Sequence, residues 1–140
     1  ARTPMQWNNE KYAGFSTTTP WIQVNSNKDV INVKKQSLDK NSILSFYRKL
    51  ISVRKQYSNI VKNGVYNDLA LKDKNIFAYE RVLDNEILLV ISSFTNKPLI
   101  CKVMKKYESY KKGILLNNYD TFENYYLKPY QSVLLYIKKK

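Results

Sequence analysis

Five consecutive apolar residues, Ile87-Leu88-Leu89-Val90-Ile91, leave little choice of fold for the second half of this chain. Successive side chains of a strand point to opposite faces, so a run that is apolar at every position belongs at the centre of a sheet covered on both sides. Short β-rich runs separated by polar turns surround it. Candidate strands are 64–71, 75–82, 86–94, 98–104, 112–117 and 132–137. Asp84-Asn85 lies between two of them and reads as a hairpin turn, because both residues tolerate positive φ. Six strands between Val61 and Lys140 predict an antiparallel β-sandwich.

The first sixty residues follow another pattern. Residues 1–41 have no sustained periodicity, and turn formers (Asn8-Asn9, Gly14, Ser16 to Pro20, Asn25 to Asn27) alternate with Trp7, Phe15, Trp21 and Ile22. A long irregular segment is normally functional or packed on another body. Residues 42–58 then read as a helix. Asn41 or Ser42 is placed to cap it, and Ile43, Phe46, Tyr47, Leu50, Ile51 and Tyr57 make one apolar stripe at helical spacing. Arg54 and Lys55 meet the negative end of the helix dipole. That stripe requires a partner surface.

Composition removes several function classes. The formal charge is +13, yet the first 60 residues hold ten basic and three acidic groups and the remainder fourteen and eight. Lysine outnumbers arginine 20 to 4, although arginine is the better reader of phosphate and guanine, so no nucleic-acid partner is expected. No apolar run reaches the length of a membrane span. With no histidine and one cysteine, zinc sites and histidine-based triads are excluded, and the dispersed acidic residues offer no calcium cluster. Gly14, Gly64 and Gly113 are too scattered for a phosphate-cradling loop, so no cofactor is expected. Cys101 reads as a small buried hydrophobe on one face of strand 98–104, consistent with a reducing, cytoplasmic setting. Asp29, Asp39, Asp68, Asp73, Asp84 and Asp120 fall at turns, strand ends or caps, while Glu80 and Glu86 are read as solvated strand carboxylates. No catalytic residue and no metal ligand is assigned.

The opening residues, Ala1-Arg2-Thr3-Pro4-Met5-Gln6-Trp7, carry a resemblance. They are similar to part of an Arg-Asp-Asn-Ala-Arg-Thr-Pro-Met-Gln-Trp stretch in α-glucosidases of the α-amylase superfamily. The branch is that of oligo-1,6-glucosidase, dextran glucosidase and trehalose-6-phosphate hydrolase. Matches continue through Ala13-Gly14-Phe15, Pro20-Trp21-Ile22, Val24-Asn25, Ile31-Asn32-Val33, Ser42-Ile43, Lys49-Leu50-Ile51 and Ile76-Phe77-Ala78-Tyr79. The chain opens inside the motif and without an initiator Met, so it is expected to be the C-terminal piece of an enzyme.

The resemblance implies a fold and a role. Residues 1–60 would be the end of a (β/α)8 catalytic barrel, its last loop followed by its eighth helix, and 61–140 an all-β C-terminal sandwich. The family's catalytic carboxylates would all lie before Ala1, leaving a non-catalytic, structural piece whose partner is the missing barrel. The parent would hydrolyse short α-linked glucosides, isomalto-oligosaccharides first and trehalose 6-phosphate second. Arg2 would lie near the sugar pocket, because loops after barrel strands gather at the catalytic face. Trp7 and Trp21 would pack beneath that loop or stack on sugar. The rival of another class is a stand-alone carbohydrate-binding module, which needs an exposed aromatic platform among the twelve tyrosines.

Overall fold

A computed structural model describes residues 2–139. They fall into two compact units, Ala1–Leu50 and Ile51–Lys140. Among the described residues no helix is long and apolar enough to cross a membrane.

The second unit is built on a five-stranded antiparallel sheet of order β1-β2-β3-β7-β5. Its strands are β1 (Val65–Asp68), β2 (Ile76–Leu83), β3 (Glu86–Ser93), β5 (Lys111–Asn117) and β7 (Ser132–Lys138). The apolar run lies on β3, the middle strand. Asp84, at φ 51°, makes the tight turn that sets Leu83 opposite Glu86. That register aligns Ala78, Ile91 and Val133, and likewise Val82, Ile87 and Ile137, on one face. Leu89 and Ile137 are fully enclosed. Full burial of such a side chain stabilises by roughly 1.5–3 kcal/mol.

What covers this face differs from the expected second broad sheet. A small pair, β4 (Leu99–Ile100) and β6 (Tyr126–Leu127), supplies Leu127, and a 3-10 helix, Lys102–Tyr107, supplies Met104 and Tyr107. The strand expected over 98–104 therefore stops at Ile100. Cys101, Met104 and Tyr107 recur every third residue and are all buried, which is the repeat of a 3-10 helix. Alternation around Cys101 suggested a strand; the three-residue spacing was the stronger signal. Cys101 is a buried free cysteine, as expected, and burial pushes its thiol above the ordinary value.

The helix expected over 42–58 is two helices, α2 (Ile43–Gln56) and α3 (Ser58–Asn63), separated at Tyr57. Ser42 caps α2, its hydroxyl oxygen accepting the amide of Ser45 at 3.1 Å. None of the residues of α2 is buried, and Ile43, Tyr47 and Ile51 are at least half exposed. A six-residue helix, α1 (Val33–Leu38), lies within the segment that lacked periodicity, with Asn32 at its N-cap.

The first unit has almost no core of its own. Its buried residues are Pro4, Ala13, Asn32 and Ser42, whereas Met5, Trp7, Phe15, Trp21 and Leu38 are half exposed or more. Backbone hydrogen bonds hold it instead. Val33 donates to Gln6 and Lys34 to Trp7, both at 2.9 Å, which ties the opening segment to the start of α1.

Gly64 turns the chain from α3 into β1. A Cβ there would come within 2.5 Å of the Ile60 carbonyl oxygen, which already accepts the Gly64 amide at 2.9 Å. Gly64→Ala should therefore displace the last turn of α3 and lower stability by about 1–3 kcal/mol, read from the urea midpoint. A midpoint equal to the parent's would mean that the turn yields at no cost.

Candidate functional site

The sequence points to the opening loop, which lies in the first unit. Arg2 is exposed in irregular chain. Just after it, Thr3, Pro4, Met5 and Gln6 line a cavity of about 290 Å³ together with Asn25, Asn27, Asn32 and Gln36. Four of these carboxamides are engaged by the backbone: Gln6 donates to the Ile31 carbonyl and Asn25 accepts the Asn27 amide at 3.2 Å. Asn32 accepts from the Lys35 amide at 2.9 Å and donates to the Lys28 carbonyl at 2.7 Å, while Gln36 accepts from the Leu44 amide at 3.1 Å. The lining mixes these neutral amides with Ile31, Val33 and Leu44 and holds no titratable side chain. Such a wall can hydrogen-bond a hydroxylated ligand but cannot move a proton.

Tyr12, Ala13 and Gly14 all take the left-handed conformation, with φ of 55°, 57° and 65°. Such residues are uncommon outside glycine and persist only where surrounding contacts hold them. Here the Ala13 carbonyl accepts both the Trp7 and Asn8 amides, at 2.9 and 3.2 Å. The Tyr12 hydroxyl lies 2.9 Å from Thr19 Oγ1, which pulls its phenol below the ordinary value. Trp21, 89% exposed, stands beside this pair.

The acidic residues occupy mostly structural positions. Asp39, Asp68 and Asp73 accept backbone amides two or three residues ahead, as expected of turn residues. Among the described residues no three His, Cys, Asp or Glu side chains converge on a metal-sized site.

Glu80 corrects the reading of solvated strand carboxylates. It lies on the core face of β2, only 3% exposed. A bare carboxylate there would be costly, and three donors converge on it. Lys106 Nζ donates to Oε1 at 2.6 Å, Asn67 Nδ2 to the same oxygen at 3.1 Å, and the Tyr107 hydroxyl to Oε2. Burial acts to raise the Glu80 pKa, but the Lys106 and Tyr107 bonds outweigh it and the carboxyl ends below its ordinary value. Tyr107 moves the other way, raised by burial first and then by the adjacent carboxylate. Sequence reasoning missed this group because its charge suggested solvent, although an alternation that puts Arg81 outside puts Glu80 inside. The phase set by Ala78 and Val82 would have placed Glu80 inside.

Shifted titration alone does not make Glu80 catalytic, since structural ion pairs shift pKa values too. Its folded pKa is depressed, so its contribution to stability is present above the ordinary 4.5 and lost as pH falls through the folded value. Acid titration of the unfolding midpoint should steepen below pH 4.5 in the parent chain and flatten in Glu80→Gln. Tyr107→Phe, which removes one donor, should lower stability by about 1–3 kcal/mol at neutral pH. An acid limb unchanged by Glu80→Gln would show that the carboxylate is not the group that titrates.

Comparisons place this geometry among known proteins. The Alpha-amylase family, described as "Alpha amylase, catalytic domain", matches residues 1–64. An oligo-1,6-glucosidase of Bacillus cereus is 40% identical over 99% of this chain and 25% of its own length. A trehalose-6-phosphate hydrolase of Bacillus subtilis is also 40% identical, over 99% of this chain and 26% of its own. The crystal structure of Bacillus licheniformis trehalose-6-phosphate hydrolase superposes with a TM-score of 0.85 at 35% identity, covering 99% of this chain and 26% of that one. The chain thus spans about a quarter of the length of the relatives it matches.

Proposed function

We propose that this chain, which belongs with the oligo-1,6-glucosidases and trehalose-6-phosphate hydrolases of the alpha-amylase family, is the C-terminal, non-catalytic quarter of a retaining α-glucosidase. The observation that carries the reading is the full-length alignment at 40% identity to enzymes four times as long. In this reading residues 1–60 close a catalytic barrel and 61–140 form its C-terminal β-sandwich domain. The preferred substrates are short α-linked glucosides, with isomalto-oligosaccharides ahead of trehalose 6-phosphate because oligo-1,6-glucosidases recur among the relatives. The setting is cytoplasmic, a reading the buried free thiol of Cys101 favours.

Retaining hydrolysis needs two carboxyl groups about 5–5.5 Å apart, one as nucleophile and one as acid and base. The side chains of this chain favour a supporting role instead. Glu80 is engaged by Lys106, Tyr107 and Asn67, and Glu86 by the Tyr136 hydroxyl. Asp39, Asp68 and Asp73 hold turns. The 140-residue chain should therefore leave a chromogenic α-glucoside untouched. Turnover that copurifies with it across two orthogonal columns would overturn the reading.

Arg2 is the residue proposed to touch sugar. It is exposed, and it immediately precedes the amide-lined cavity. In the full-length enzyme its guanidinium would donate charge-assisted hydrogen bonds to hydroxyls of the bound glucose. Arg2→Ala there should lower kcat/KM on isomaltose roughly 30- to 1000-fold, about 2–4 kcal/mol, with little change in melting temperature. Parallel loss of activity and thermal stability would assign Arg2 to loop bracing, and near-normal kcat/KM would remove it from the substrate site.

A further inference from the structure

Trp21 is 89% exposed, yet it does not stand alone. It lines a second cavity of the first unit, of about 490 Å³, with Lys11, Tyr12, Thr19, Gln23 and Lys28. That volume falls within the range of small-molecule clefts, about 300–1,000 Å³. Trp7, the other tryptophan of the opening segment, lines neither cavity. Val24 and Lys28 line this cavity while Asn25 and Asn27 line the first, so residues 24–28 are a wall common to both.

The Tyr12 side of the cavity is fixed in advance. Tyr12 takes the left-handed conformation, the Ala13 carbonyl after it accepts the Trp7 and Asn8 amides, and the Tyr12 hydroxyl lies 2.9 Å from Thr19 Oγ1. A Cβ on Gly14, which ends this turn at φ 65°, would come within 2.8 Å of the Asn8 carboxamide. Strained backbone held from several directions clusters at ligand clamps. The charges of the cavity are already partnered. Lys28 Nζ donates to the Asn9 carbonyl at 2.7 Å and pairs with Asp29 at 3.2 Å, and Lys11 Nζ lies 5.0 Å from the centre of the Tyr12 ring. What is left for a ligand is an open indole face, the Gln23 carboxamide and the hydroxyl proton that the Tyr12–Thr19 pair does not use.

We propose that the Trp21 cavity is a separate saccharide site for one neutral glucopyranosyl unit, its ring stacked on the indole and its hydroxyls bonded to Gln23 and to the Tyr12–Thr19 pair. That the sugar is a glucoside rests on the function proposed above. A pyranose carries C–H groups on its ring faces and hydroxyls around its edge, which matches an aromatic face beside neutral donors and acceptors. The partnered lysines give an anion little to gain. A dry protein contact over the same cavity would strip water from the ammonium groups of Lys11 and Lys28, and such charges are depleted from interface centres.

Fluorotryptophan labelling of the full-length protein tests this site by itself, with Trp21→Phe identifying the fluorine resonance of Trp21. Isomaltotriose with sulfur in place of its glycosidic oxygens, which a glycosidase does not cleave, should shift that resonance saturably. Thr19→Val, which releases Tyr12, should weaken the binding read at Trp21 severalfold. Trp21→Ala should remove one of two binding events seen by calorimetry and leave the melting temperature unchanged, because the side chain is exposed. An unmoved Trp21 resonance in a protein that hydrolyses α-glucosides would overturn the saccharide site and leave the proposed function standing. A resonance insensitive to exchange of water for heavy water would mean that the rest of the polypeptide covers Trp21, and would overturn it too. A shift produced by glucose 6-phosphate but not by the neutral sugar would overturn the neutral ligand in favour of an anion. Saturable binding at Trp21 in a full-length protein that hydrolyses no α-glucoside would uphold the site and overturn the proposed function instead.

Discussion

Burial of the β3 core face organises residues 51–140. Ile87, Leu89 and Ile91 are enclosed because β2 and β7 bring Ala78, Val82, Val133, Leu135 and Ile137 alongside in register. A one-residue slip of either neighbour would turn these side chains to the other face and put Tyr79, Arg81 or Tyr136 into the core. The two-residue turn at Asp84 excludes that slip on one side, and the long β7 ladder does so on the other. What remains of the unit is arranged to close over this face. The 3-10 helix Lys102–Tyr107 and β6 supply Met104, Tyr107 and Leu127 for that purpose.

The same closure explains why a carboxylate is tolerated inside. Glu80 sits on the core face, opposite Leu89, where an unpaired charge would be strongly destabilising. Lys106 and Tyr107, which belong to the covering helix, neutralise and hydrogen-bond it, so the charge can be satisfied only when the helix is docked. The pair adds little net attraction compared with an apolar contact of the same shape. Its effect is to make one docking position of residues 102–107 far better than its neighbours. Lys112 reinforces that position by donating to the carbonyls of Glu108 and Tyr110 at 3.1 and 3.0 Å.

The parts of this fold that were legible in the sequence are those where one periodicity operates alone. The β2–β3 hairpin, the central place of β3, β7 and the Ser42 cap all followed from alternation or from a short polar side chain before an apolar stripe. Legibility failed where two signals competed. Over 98–104 the alternation of Leu99, Cys101 and Val103 masked a three-residue repeat, and at Glu80 charge suggested solvent while strand phase required burial. In the opening segment α1 is set by Asn32, which caps it, and by backbone bonds to Gln6 and Trp7, a non-local pairing that no local pattern encodes. The amide-lined cavity was illegible for the same reason, since Gln6, Asn25 and Gln36 are distant in sequence and share no motif.

The two units use similar side chains to different ends. Residues 51–140 direct Ile, Leu and Val inward and enclose them, whereas residues 1–50 leave Trp7, Phe15, Trp21, Leu38 and Ile43 half exposed or more. Apolar surface left in water gives none of the roughly 25 cal/mol per Å² that burial supplies. Hydrogen bonds such as those from Val33 and Lys34 back to Gln6 and Trp7 fix local geometry, but each contributes only about 1 kcal/mol net. Left-handed Tyr12 and Ala13 add backbone strain of order 1–3 kcal/mol each. An amide-rich cavity held on such a frame has the right chemistry to bind hydroxyls and too little burial to stay in place by itself. That imbalance favours the proposal that residues 1–60 close a larger catalytic domain, while residues 51–140 enclose a core of their own.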